Sequence, residues 1–525
     1  MNNKTLLIIV IIIIIIIVIV IIVYYNQNSD SKNKNNHYSE NESENSSKLD
    51  KPLVKSNIQV NPNIDSTLNN QSLQVQNSTT FNLVKRNDNN YVLPSMGSGM
   101  VRPTFVMFGG KTNEESPILS PTSGVNAAFT TKGDGKVAPA AIFYNFGAWS
   151  FQNVAAAYGL QNIACVQGGV PAGSGAVIAI VVAYSIPTIK NDLKAALSST
   201  KGIIPGNTSL ATTISNNLTI VPVNSSGQAV SSVPQNAGWG IEASMDVQTI
   251  VSLCPGAKVY LVQANSASIN DMVMAVKYAV ETLKAQVVNM SWGGSYPCSN
   301  NVGVNAEPFS CLADQLFANY PNVIFAASAG DSGAQTGWPM AHPNVVSIGG
   351  TTLNMVNNTS GTSTQSGWKG SGGGPDSYYN AGSYQQQAYG FMAKRQTPDI
   401  AFLADPASGV WVYDTTGTGT KPWAVYGGTS LAAPVFAAIV GLINSARIKV
   451  GKSPLTQTQL WNGIYGSNFK GPSVILSSPQ STYFQPITIG NNSNALAGWD
   501  CTNGYDFVTG MGSTNTTFYN AMIAL

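Results

Sequence analysis

The sharpest hydropathy contrast in the chain lies at its start. Residues 6–23 are an unbroken run of 18 Leu, Ile and Val. As a helix it would span about 27 Å, close to the apolar thickness of a bilayer. Tyr24 and Tyr25 follow where interfacial aromatic rings sit. A cleaved signal has a shorter apolar part that ends in small residues. An uncleaved single transmembrane helix is therefore expected over residues 1–25, with the rest of the chain on the non-cytoplasmic side. Residues 26–96 then lose all periodicity, lack glycine and are rich in Asn, Ser and Lys. They read as a solvated, low-complexity stalk.

From Gly97 the pattern changes again. Residues 97–140, with their Gly, Pro and Thr, read as a linker or the remnant of a pro-segment. Short apolar runs follow at 176–184 (AVIAIVVAY), 258–263 (KVYLVQ), 287–292 (VVNMSW), 323–327 (VIFAA) and 345–349 (VVSIG). They alternate with helical patterns over 241–253, from an Asp271 cap to about 285, and from 431 to about 443. Strands alternating with helices predict an α/β domain over 141–525, a parallel sheet covered by helices on both faces. Sites in such sheets gather at the carboxyl ends of the strands.

Composition narrows the chemistry. Lys and Arg number 26 against 24 Asp and Glu, so nothing points to nucleic acid. Charged residues are only 10% of the chain, and few carboxylates mean little charge build-up as pH falls, which suits an acidic setting. The two histidines, His37 and His342, exclude a histidine-built zinc site. Five cysteines show no metal-ligand spacing; Cys298 and Cys311 bracket a loop and are candidates for a disulfide outside the cytosol.

Three segments carry candidate chemistry. Ser430 follows Gly427-Gly428-Thr429 at the start of an apolar helix, where free N–H groups and the helix dipole stabilise negative charge on oxygen. The alternative is a plain N-cap serine. A serine nucleophile needs a base. His37 lies in the stalk and His342 in a Pro-rich loop (WPMAHPN), which leaves a carboxylate. Glu242 and Asp246 lie four apart on one helix face among apolar neighbours, a spacing at which like charges repel and one carboxyl holds its proton. The alternative is a partly solvated helix face. Asp331, in Ser328-Ala329-Gly330-Asp331-Ser332-Gly333, stands at the end of an apolar strand, either as an oxyanion donor or as an ordinary Asx-turn.

Together with SWGGS at 291–295, GWKGSGGGP at 367–375, TPDIAFLADP at 397–406, GGTSLAAP at 427–434 and GYDFVTGMGS at 504–513, these segments resemble the sedolisin family of serine-carboxyl peptidases. The resemblance runs from about residue 149 to the C-terminus and implies a subtilisin-like fold and hydrolysis of peptide or protein substrates at acidic pH, as an endopeptidase or tripeptidyl peptidase. It implies Ser430 as nucleophile, Glu242 as base, Asp246 as its support and Asp331 in the oxyanion hole. It also implies backbone binding of substrate by Ser291, Trp292 and Gly293 and by Gly372 and Gly373. A family calcium site would map to Ile487, Gly504 and Asp506, but Pro486 stands where its first aspartate is expected. A carboxylate lost from a hard-cation site weakens it. The folded pro-domain of the family has no counterpart of sufficient length, and Val182 replaces an aspartate outside the catalytic set. Two rival expectations follow: an inactive surface or structural protein that keeps the fold, and a neutral serine triad built on His342.

Overall fold

The computed structural model describes residues 148–525 except 298–310, 358–361, 390–392, 417–421, 467–481 and 495–496. Before them it describes residues 99–107 except 105, and the two-residue strands Val84–Lys85 and Tyr91–Val92. The apolar run 6–23 and His37 lie outside the described residues.

The β-branched runs of the sequence become the central sheet. Its strands are β1 (Val177–Ala183), β2 (Leu218–Val223), β3 (Lys258–Ala264), β4 (Val287–Met290), β6 (Ile324–Ser328), β7 (Val346–Asn357) and β8 (Thr362–Gly367); a short β5 (Trp292–Gly294) lies outside it. The order across the sheet is β8-β7-β6-β4-β1-β3-β2, with β9 (Ile400–Leu403) paired to β7. All pairings are parallel except β7 with β8. The expected run 287–292 breaks at Ser291. There β4 ends, and β5 turns away to pair with residues 101–103. That break turns the Ser291 carbonyl away from the sheet ladder, so that it accepts from Thr104 N–H.

Three helices position the site. α1 (Ala237–Leu253) starts four residues earlier than its apolar pattern, because the Asn236 side chain accepts from Gly238 and Trp239 N–H. α2 (Ile269–Glu281) is capped by Ser268 rather than by Asp271, the expected cap. α3 (Thr429–Lys449) extends six residues beyond the expected end. It is apolar all round and packs on β4, β6, β7 and β9, so its sequence resembles a membrane span while its place is the protein core. α1 packs beside α3 on one face of the sheet, and α2 covers β1, β3 and β4 on the other. The crossovers β2-α1-β3 and β3-α2-β4 step the same way across the sheet on opposite faces. Their hands are therefore opposite, and one is of the rare left-handed kind. This exception sets the two helices that carry Glu242 and Ser430 side by side.

Below the sheet's edge lies a buried ion pair. Arg395 donates to both oxygens of Asp399, at 2.7 and 2.6 Å, and both side chains are fully buried. Asp399 also accepts from Ser347 N–H at 2.7 Å and the Tyr465 hydroxyl at 2.5 Å, which ties β7 to the helix Gln457–Tyr465. The TPDIAFLADP segment thus has a structural role at its first carboxylate. Cys311 is disulfide-bonded, and the expected partner Cys298 lies outside the described residues; Cys165, Cys254 and Cys501 are free and buried.

Candidate active site

Glu242, Asp246 and Ser430 are all fully buried, and Asp331 nearly so. The Ser430 hydroxyl donates to Glu242 Oε2 at 3.0 Å, within reach for proton transfer. Asp246 Oδ1 accepts from Ser291 Oγ at 2.6 Å, and Ser291 accepts in turn from Asn289 Nδ2 at 3.0 Å. Glu242 Oε1 and Asp246 Oδ2 have no hydrogen-bond partner among the described residues. Burial, and next the Asp246 charge, push Glu242 well above the usual carboxyl range, against the hydrogen bond from Ser430. Burial raises Asp246 as well, while Ser291 and Asn289 pull it down. Two carboxyls crowded and buried in this way tend to share one proton.

Asp331 is brought to Ser430 through Thr429. Its Oδ1 accepts from Thr429 N–H at 2.7 Å and from the Thr429 hydroxyl at 2.8 Å, and Gly330 N–H donates to that same hydroxyl. The carboxyl is thereby fixed at the N-terminus of α3. Beside it opens a cavity of about 400 Å³ lined by Thr104, Gly293, Tyr296, Asp331, Met340 and Gly372, among others.

The expected substrate-binding residues divide. Ser291 contributes twice: its hydroxyl holds Asp246, and its carbonyl accepts from Thr104 N–H at 3.2 Å and lies 3.2 Å from Ser430 Oγ. Trp292 points its ring into the core, donates from Nε1 to the Val181 carbonyl and packs on Trp338; its backbone and that of Gly293 meet residues 102–103. Gly372 and Gly373 donate their N–H groups to the carbonyls of Gly330 and Gln335. A side chain at Gly372 would collide with the Ala329 carbonyl, so this glycine permits close packing of two loops.

His342 lies in the core. One ring nitrogen meets the Asp314 carbonyl at 2.8 Å, the other accepts from Asn344 N–H at 3.0 Å, and burial lowers its pKa to about 3. Its ring packs against Phe317 and Tyr379, and it is no base for Ser430. At the expected calcium position, Ile487 is buried and Asp506 accepts from the N–H groups of Thr502, Val508 and Thr509 and from the Thr509 hydroxyl. Donors, not lone pairs, converge on this carboxyl, and burial pushes its pKa up to about 6.

Sequence reasoning missed Thr104, Ser328 as a contact and Thr429 as the clamp on Asp331. Thr104 Oγ1 lies 2.7 Å from Ser430 Oγ and donates to Ser328 Oγ at 2.6 Å. Ser328 and Thr429 flank residues that the motifs already marked, but nothing in the sequence around Thr104 signals a site.

The subtilase family model matches residues 222–462. The chain is 25% identical over 312 residues to sedolisin of Pseudomonas sp. (strain 101), covering 54% of this chain and 49% of that protein. It is 30% identical over 301 residues to kumamolisin of Bacillus sp. (strain MN-32), covering 52% and 49%. Xanthomonalisin of Xanthomonas sp. (strain T-22) is 26% identical over 416 residues, 68% of this chain and 45% of that protein. The chain thus spans about half the length of these relatives. A solved structure of Pseudomonas sedolisin, a serine-carboxyl proteinase complexed with pseudo-iodotyrostatin, shares the fold with a TM-score of 0.54 at 23% identity, covering 72% of this chain and 97% of that one.

Proposed function

We propose that this chain, which belongs to the sedolisin family, hydrolyses peptide bonds at acidic pH with Ser430 as nucleophile and Glu242 as base. The observation that carries the reading is the 3.0 Å hydrogen bond from Ser430 Oγ to Glu242 Oε2 in a fully buried site, with His342 engaged elsewhere. Ser430 Oγ attacks the carbonyl carbon while Glu242 takes its proton and later delivers it to the leaving amine. Asp246 keeps Glu242 basic through its charge, and Ser291 holds Asp246 in place. Ser430 N–H, and Asp331 protonated on the oxygen remote from Thr429, donate to the oxyanion. The fit of the four residues to this cycle also weighs against the inactive structural alternative.

The test is the pH–rate profile of the full chain on a mixed peptide library. A bell in the acid range is expected: its acid limb reports protonation of the base, its alkaline limb loss of the shared proton. Because the Asp246 charge raises the Glu242 pKa, Asp246→Asn should move the acid limb to lower pH while reducing kcat. A limb that stays in place or moves upward would remove Asp246 from the set, and activity that rises through pH 6–7 would sink the carboxyl mechanism. Asp331→Ala should cost about 10²–10³ in kcat with KM little changed, the usual loss for one oxyanion donor; an equal loss in binding of a non-reacting peptide would assign Asp331 to substrate binding instead. Residues 6–23 are read as a membrane anchor for this peptidase. The full chain should then sediment with membranes through alkaline carbonate, and a chain that washes free would remove the anchor.

A further inference from the structure

Two cysteines outside the catalytic set meet at the carboxyl end of α1. Cys254 closes that helix, its N–H donating to the Ile250 carbonyl, and Cys165 leads into the hairpin of Val166–Gln167 and Val170–Pro171. Cys165 N–H donates to the Leu253 carbonyl at 2.8 Å. Covalent geometry then holds the two Cα atoms no more than about 6.5 Å apart, a separation that a disulfide spans.

Their surroundings fix them there. Ala172 N–H donates to the Cys165 carbonyl at 2.9 Å, Gly256 N–H to the Ala172 carbonyl at 2.6 Å, and Ala257 N–H to the Cys254 carbonyl at 3.1 Å. Cys165 has a φ of 62°, a left-handed backbone that residues other than glycine adopt only where their neighbours impose it. Gly173 has a φ of 100°, and a Cβ there would come within 2.2 Å of Cys254 Sγ. The sulfur of Cys254 thus packs against the turn that returns from the hairpin. Both thiols are buried, and burial pushes each up to about 12, with the nearness of Cys165 adding to the rise at Cys254. Among the described residues no third Cys, His, Asp or Glu joins them to make a metal site. Cys311 is already disulfide-bonded, and disulfides persist where thiols are oxidised.

We propose that Cys165 and Cys254 are a disulfide pair that closes as the chain folds in an oxidising compartment, and that the bond ties the end of α1 to the hairpin. The structure holds the pair as two thiols, and a small-molecule disulfide such as glutathione disulfide is the oxidant. The sulfur of one cysteine attacks it, releases one small thiol and leaves a mixed disulfide. The second cysteine displaces the other small thiol, so the protein loses two hydrogens and the small disulfide is reduced to two thiols. Once folded, both cysteines stay protonated and out of reach, so the bond closes while the hairpin is still open. The closed loop runs from 165 to 254 and contains β1, β2 and α1, the helix that carries Glu242 and Asp246. The proposal is independent of the peptidase reading.

The test refolds the full chain in a glutathione buffer rich in the disulfide form, alkylates free thiols in denaturant and digests without reduction. Mass spectrometry should find the Cys165 and Cys254 peptides joined, two hydrogens lighter than the separate thiol peptides, with Cys501 alkylated. Alkylation of both Cys165 and Cys254, or a bond from either to Cys501, overturns the pair; this mapping uses the unmodified chain and needs no variant to fold. Calorimetry should show the same fall in Tm for Cys165→Ala and for Cys254→Ala, about 5 °C. The double variant should fall no further, because either single change already removes the bond. Losses that add in the double variant overturn the tie and assign the stability to packing of each side chain.

Discussion

Ser430→Ala, Glu242→Gln and the double variant should lose peptide hydrolysis to nearly the same extent, about 10⁴–10⁶-fold in kcat, with KM changed little. The serine and the carboxyl are joined by one 3.0 Å hydrogen bond inside a dry site, so each is useless without the other. Glutamine keeps the shape of Glu242 and an oxygen that accepts from Ser430, but it cannot take the proton. Near-equal losses mark groups that act as a unit, whereas independent groups would multiply their effects. Steady-state kinetics at the optimum pH of the unmodified chain decide this, with circular dichroism to confirm the fold. A double variant that loses the product of the two single losses would break the proposed pairing. Substantial activity in Ser430→Ala would assign the nucleophile to another residue.

Asp399→Ala should be the most damaging single change remote from the cleft. It strips Arg395 of a bidentate partner with no access to water, and it also removes the carboxylate that accepts from Ser347 N–H and from the Tyr465 hydroxyl. Removing one member of a buried ion pair costs about 3–5 kcal/mol, because the remaining charge stays desolvated. For a domain of this size that corresponds to a fall of about 5 °C in Tm by calorimetry. Replacing both members, Arg395→Met with Asp399→Leu, should recover most of the loss. If the double variant is no better than Asp399→Ala, the cost lies in the bonds to Ser347 and Tyr465 rather than in the stranded guanidinium.

Much of the architecture was legible in the sequence because its signals are local. A buried parallel strand is a short apolar run, and each of the five runs singled out contributes a strand of the sheet. Helix cores were equally plain, but their ends moved where a capping side chain outweighed the apolar pattern, as at Asn236 and Ser268. The scarcity of histidine turned attention to carboxylates, and the crowding of Glu242 and Asp246 on one helix face marked them before any fold was known.

What the sequence determined by itself was therefore the set of elements, the unusual residues within them and the chemistry those residue types allow. The tertiary structure alone decided which of them meet. Ser430 lies 188 residues from Glu242 and 326 from Thr104, and both come within hydrogen-bond distance of the serine oxygen. That convergence depends on the handedness of one crossover, on the break between β4 and β5 at Ser291, and on a segment of residues 101–107 whose own composition carries no signal. It equally decided that His342 is a core histidine. The reason is physical: periodicity and turn chemistry act over a few residues, as does the crowding of Glu242 by Asp246, whereas the burial that raises the Glu242 pKa and the Ser430 hydrogen bond that opposes it come from neighbours distant in the chain.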